Sequence, residues 1–222
     1  MGTALGQNFI GIDVHSSRAC PFAVIDGSGR MTDSGWLPVD SGLESEIAAL
    51  VTSYPNAIFG VDSPREARPS PREWYWRRGK WRPRRASEVG WGRHCEVVVK
   101  AHGMANPQWT PLESKAPEWM LVGFRIFAAL TKAATVHEVF PTASYNMLEA
   151  APEALLTMSF ESFRPGPKDM LDAAIGALTV REFESGRGSE VGGGDGLGTI
   201  ILPRPIPNPI EAVLTWPDSC AP

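Results

Sequence analysis

Short apolar runs of β-favouring residues alternate along this chain with stretches of helical spacing, and clusters of Gly and Pro separate them. Residues 8–14 form the first such run. It ends in the polar cluster His15-Ser16-Ser17-Arg18, and Pro21 to Ile25 follow almost at once, which predicts a hairpin. Asp26-Gly27-Ser28-Gly29 is a turn signal, and the loose alternation from Arg30 to Pro38 predicts a third antiparallel strand. Ser41 or Ser45 can cap a helix running through Ile47, Leu50 and Val51. The stretch Ala57 to Val61 then reads as a buried strand ending at Asp62.

From Pro64 to about Pro111 the periodicity fades, apart from one helix within Ser87 to Lys100, and the segment reads as a long functional loop or insertion. Glu118 to Leu130 is apolar on most faces and predicts a well-buried helix, and Thr135 to Phe140 predicts a short strand with His137-Glu138 near its end. Pro141 suits the first position of a helix continuing towards Ala151. Lys168 to Phe183 carries the clearest helical stripe: Met170, Ala173, Ala174, Ala177, Leu178 and Phe183. Thr199 to Leu202 adds a final strand before an irregular, proline-rich tail over 203–222. The predicted fold class is α/β, a mixed sheet flanked by helices, with a long insertion after the fourth strand.

At 222 residues, 43% hydrophobic and 21% charged, the chain has apolar material for one domain spanning 1–222 and too little length for a two-domain enzyme. It has no run of about 18 apolar residues. Met1 to Val14 lacks the basic start and apolar stretch of a secretory signal. Both features point to the cytoplasm and away from a membrane. Cys20, Cys95 and Cys220 are odd in number and widely spaced, which suits reduced thiols better than a disulfide framework or a zinc site.

Charge is unevenly spread. Eleven basic and four acidic residues between Arg65 and Lys100 give a local +7 in a chain of net −4, so the remainder carries −11. Within that segment Trp74, Tyr75, Trp76, Trp81 and Trp91 lie among Arg72, Arg77, Arg78, Lys80, Arg82, Arg84, Arg85 and Arg93. Guanidinium groups neutralise phosphates and aromatic faces stack on unpaired bases, so the segment suits nucleic-acid binding. Equally, the tryptophans can fill a satellite core while the arginines pair with the acidic remainder, across a homodimer interface included.

Asp13 interrupts an apolar strand, Asp62 ends the next buried one and Glu138 ends another. Asp169 and Asp172 lie three apart on one helix face. A carboxylate beside a buried strand costs several kcal/mol unless paired or bound to metal. Each taken alone suits a turn or cap; the set together suits metal-assisted phosphoryl transfer. Mg²⁺ and Mn²⁺ prefer oxygen ligands, and a pair of such ions clamps both oxygens of an in-line displacement at phosphorus. His15, Ser16, Ser17 and Cys95 lack a partner that spacing can locate. His137 suits a hydrogen-bonded structural role or an acid–base one, and Gly192 to Gly196 suit a flexible turn.

The motifs resemble a predicted-nuclease branch of the RNase H-like superfamily, the family known as domain of unknown function 429 (DUF429). The matching pieces are Gly11-Ile12-Asp13, Val61-Asp62-Ser63-Pro64, Arg93-His94-Cys95-Glu96, His137 to Pro141, Lys168 to Ala173, and Asp195 to Pro203. The chain departs from the family at Arg65-Glu66-Ala67, where a small glycine-bearing turn is expected. The resemblance implies a five-stranded mixed sheet in which Asp13 and Asp62 face each other on adjacent strands. Glu138 and the Asp169/Asp172 helix would complete a Mg²⁺ or Mn²⁺ pocket, with Asp13, Asp62, Glu138 and Asp172 as ligands. It also implies hydrolysis of DNA or RNA phosphodiesters. Two other readings stay open: a non-catalytic nucleic-acid-binding module on the same fold, and a relative of the actin-like ATPases and sugar kinases, whose phosphate-binding hairpin Asp13 to Arg18 resembles.

Overall fold

The computed structural model describes residues 6–148 and 168–217. Five strands form the central sheet: β1 (Asn8–Asp13), β2 (Cys20–Asp26), β3 (Met31–Leu37), β4 (Ile58–Asp62) and, after two strands of the insertion, β7 (Thr135–Glu138). Their spatial order is β3-β2-β1-β4-β7. The first three form an antiparallel meander, and β4 and β7 add in parallel, so the sheet is mixed as expected.

Strand alternation divides the core. Ile10, Ile12, Phe59 and Val61 face one side, where α1 (Leu43–Ser53) and α3 (Glu118–Leu130) cover them with Leu43, Ile47, Ile126 and Leu130. Phe9, Ala23 and Ile25 face the other side, against Ala173, Ala177 and Leu178 of α5 (Lys168–Glu184). The stripe on α5 widens beyond the expected one: Ile175, Thr179, Val180 and Glu182 are buried too. Its far side is covered by α4 (Pro141–Leu148) and by a two-stranded ribbon, β8 (Ser189–Gly192) with β9 (Thr199–Leu202). The final strand therefore lies outside the main sheet, and the glycines after Val191 form the ribbon's turn. The expected continuation of α4 towards Ala151 falls outside the described residues, as does Cys220.

The insertion is more regular than its sequence suggests. β5 (Trp74–Arg77) and β6 (Lys80–Pro83) form a hairpin, and α2 (His94–Ala101) follows it. A two-residue turn, Arg78-Gly79, joins the strands with φ of 52° and 76°. Tight hairpins require this left-handed pair, but Asn-Gly is its usual signature, so Arg-Gly gave no warning of it. Residues 212–216 clasp the hairpin from the other end of the chain. The Trp81 Nε1–H donates to the Ala212 carbonyl at 2.9 Å, and the Trp81 ring packs edge-on against Trp76 and Trp216. Among the described residues no helix is long and apolar enough to cross a membrane.

Candidate metal centre

Asp13 and Asp62 end neighbouring parallel strands and are register partners, so both project from the same face, about 4.8 Å apart in backbone. Two glycines let α5 settle directly over them. A Cβ on Gly11 would lie 1.9 Å from the Ala173 carbonyl oxygen, and one on Gly60 would lie 2.6 Å from Val180 and 3.2 Å from the Gly176 carbonyl. One turn before Ala173 and Gly176 on that helix stand Asp169 and Asp172; two residues beyond Gly11 and Gly60 stand Asp13 and Asp62. The close approach thus carries the first turn of α5 onto the strand ends.

Asp13 is buried, and its Oδ2 lies 3.1 Å from His15 Nε2, which is 3.5 Å from Asp169 Oδ2. One ligand atom from each of Asp13, His15 and Asp169 falls within 4.8 Å of the others, so the three could hold a metal ion. Asp169 Oδ2 is buried without a hydrogen bond of normal geometry, although the Arg18 guanidinium approaches to 2.5 Å. Asp172 accepts from the Tyr145 hydroxyl and from Lys168 Nζ, each at 2.8 Å. Asp62 is half-buried and makes no ion pair among the described residues. The turn carrying His15 is held by its backbone N–H, which donates to Cys20 Sγ at 3.3 Å.

The electrostatics match an anionic pocket short of cations. Burial pushes the Asp13 carboxyl up to about 6; Asp172 and Asp169 add to the rise while His15 opposes it. Burial, with Asp13 and Asp172 close by, raises Asp62 well above the carboxylate range. Carboxylates gathered out of water behave in this way when burial and mutual repulsion outweigh the nearby cations.

Glu138, expected as a ligand, adds to the rise at Asp62 and lines a cavity with it, but its own ion-pair partner is an arginine. It pairs in register with Val61, one residue short of Asp62, so the pleat turns it to the opposite face. There it forms a buried fork with Arg93, whose Nη1 donates at 2.7 Å to Glu138 Oε2 and whose Nη2 bonds Oε1. The Arg93 Nε also donates to Glu96 at 3.0 Å and Thr110 at 3.1 Å. Burial would lower the Arg93 pKa, but the acidic groups around it, Glu138 and Glu96 with the Cys95 thiol, hold it well above the ordinary range. A small cavity between Asp62 and this network is lined by Ser63, Pro64, Trp119 and Phe140.

The basic segment divides as well. Arg93 and Arg72 are buried, 1% and 6% exposed, so neither reaches a nucleic acid; Arg72 lies over the Tyr75 and Trp109 rings. Trp74, Trp76 and Trp81 are half-buried, and the latter two are packed together. Arg84 donates to the Glu88 carbonyl at 3.2 Å. Arg77, Arg78, Lys80 and Arg85 are exposed. His137 Nε2 lies 2.9 Å from Glu184 and its ring packs on Phe183, which suits the structural alternative.

His15 is the member of the metal group that spacing did not locate. Its signal was Asp13-x-His15 at a strand end, where two residues of the same parity point the same way. No family model matches the chain, and neither curated proteins nor solved structures give a match.

Proposed function

We propose that this chain is a divalent-metal-dependent nuclease of RNase H-like fold that hydrolyses phosphodiester bonds of DNA or RNA. The observation that carries the reading is the register pair Asp13–Asp62 under the first turn of α5. The order β3-β2-β1-β4-β7, a meander extended by parallel strands, supports it.

The residues present fit the ion. Carboxylate oxygens with a single imidazole suit Mn²⁺ or Mg²⁺, and the Oδ2 of Asp169 is a buried acceptor without a properly formed hydrogen bond. Asp13, His15 and Asp169 would hold the metal, with Asp62 and Asp172 completing the acidic set. When bound, the ion supplies Lewis-acid chemistry at phosphorus. Tyr145 and Lys168 orient Asp172. Lys168 and Arg18, exposed on the open side of the group, are placed to counter the charge of an incoming phosphate. Glu138 is left to the scaffold.

Calorimetric titration with Mn²⁺ and cleavage of fluorescent oligonucleotides test the reading. Asp13→Asn and Asp62→Asn are expected to lose Mn²⁺ binding and at least ~100-fold in cleavage with unchanged circular dichroism. Cleavage retained by Asp13→Asn would overturn it. One observation favours a second reading, a non-catalytic binding module: Arg18 and Lys168 already pair with two of the acids. Metal-independent binding without turnover is its signature.

A further inference from the structure

The hairpin β5–β6 has two unlike surfaces. Its inner surface is fixed: Trp76 meets Trp81 edge-on at 5.3 Å, Trp81 meets Trp216 at 5.0 Å and His94 at 5.9 Å, and the Trp81 N–H is used on Ala212. Its tip is the exposed run Arg77-Arg78-Gly79-Lys80. Together with Arg82 and Arg85 these residues line an open hollow of 350 Å³ whose walls are wholly basic. Arg82 is committed to Glu88, but Arg77, Arg78 and Lys80 have no ion-pair partner among the described residues. Arg78 also holds a left-handed backbone, φ 52°, where Asn or Gly would be less strained. The residue that keeps this place brings charge to the tip at the expense of turn stability.

We infer that this tip is a clamp for the sugar-phosphate backbone of a nucleic acid, gripping phosphates through Arg77, Arg78 and Lys80 without stacking on bases. Trp76 and Trp81, which by composition alone suit base stacking, are packed together, and Trp81 holds the hairpin to His94, Ala212 and Trp216. Three cations in and beside a two-residue turn, without ion-pair partners among the described residues, fit closely spaced phosphates, and contacts of this kind carry no sequence information. A nucleic acid fits the tip better than a lipid surface does. The turn presents no apolar side chain to enter a bilayer, and the −11 remainder would be pressed against anionic headgroups, whereas a strand can follow one projecting arm. The inference rests on the nuclease reading for the identity of the polyanion, and on nothing in the metal centre.

Fluorescence anisotropy with a labelled oligonucleotide in EDTA tests the clamp apart from catalysis. Arg77→Gln/Arg78→Gln/Lys80→Gln is expected to bind at least ~30-fold more weakly at low salt. The slope of log affinity against log salt should fall by about two to three. Arg78→Asn, which suits the turn better, keeps the fold secure and should still lower the slope by about one. An oligonucleotide with abasic positions should bind as tightly as the intact one. Unchanged affinity in the triple variant, a ~10-fold loss on removing bases, or equal binding to phosphatidylserine vesicles would each overturn the clamp. Tight binding in EDTA with no cleavage in Mn²⁺ would sustain the clamp and remove the nuclease reading instead.

Discussion

Two groups of acids sit near the same end of the sheet, and the fold treats them oppositely. Glu96 and Glu138 share one guanidinium, all three at most 4% exposed, and the Thr110 hydroxyl and amide also donate to Glu96. Among the described residues, Asp13, Asp62, Asp169 and Asp172 have as partners only the half-buried His15, the Tyr145 hydroxyl and the exposed ends of Arg18 and Lys168. Nearness to a strand end therefore does not tell a charge-paired carboxylate from one left short of counter-charge. A satisfied buried ion pair stiffens a core, while an unsatisfied anionic cluster stays open to a cation from solution.

The largest effect expected from breaking this contrast is in the satisfied group. Arg93→Met strands two buried carboxylates and should cost about 3–5 kcal/mol in urea unfolding; a cost under ~1 kcal/mol would show that the network does not hold the insertion to the sheet. Gly11→Ala strikes the other group. Its new Cβ meets backbone of α5, which must lift, so a loss of about 3 kcal/mol together with loss of Mn²⁺ binding is expected. Retained binding would separate the helix approach from the site.

The next test uses the acidity of Asp13. Folded Asp13 titrates at about 6 instead of 3.8, so between those pH values the folded chain keeps a proton that the unfolded chain has lost. Metal-free stability should therefore be full below that window and fall by roughly 1–3 kcal/mol as pH rises through it. Asp13→Asn should flatten this fall in thermal melts, and a stability that rises over the same window would contradict it. Smallest, Thr110→Val removes one neutral donor from Glu96 and should cost about 1 kcal/mol while leaving Mn²⁺ titrations unchanged.

Much of the sheet was legible because its signals are local: β-favouring runs, the Asp26 to Gly29 turn, and helical spacing over 118–130 and 168–183. The pairing of Asp13 with Asp62 was implied by the family resemblance alone, because strand parity does not say which strands become neighbours. The pairing of Glu138 with Arg93 was not legible, for two reasons that no local pattern carries. Its strand is offset by one residue against β4, and its arginine lies 45 positions earlier in the chain. The hairpin was missed because its turn lacks the usual Asn-Gly pair, and its tryptophans looked available because the residues that cover them come more than 100 positions later.

That last separation shapes how the molecule is made. A hairpin completed at residue 83 waits for residues 212 to 216 before Trp81 has its hydrogen-bond acceptor and its ring neighbour. During synthesis the arginine arm therefore leans on its near neighbours, His94 among them, and gains its last two contacts only when the late segment docks.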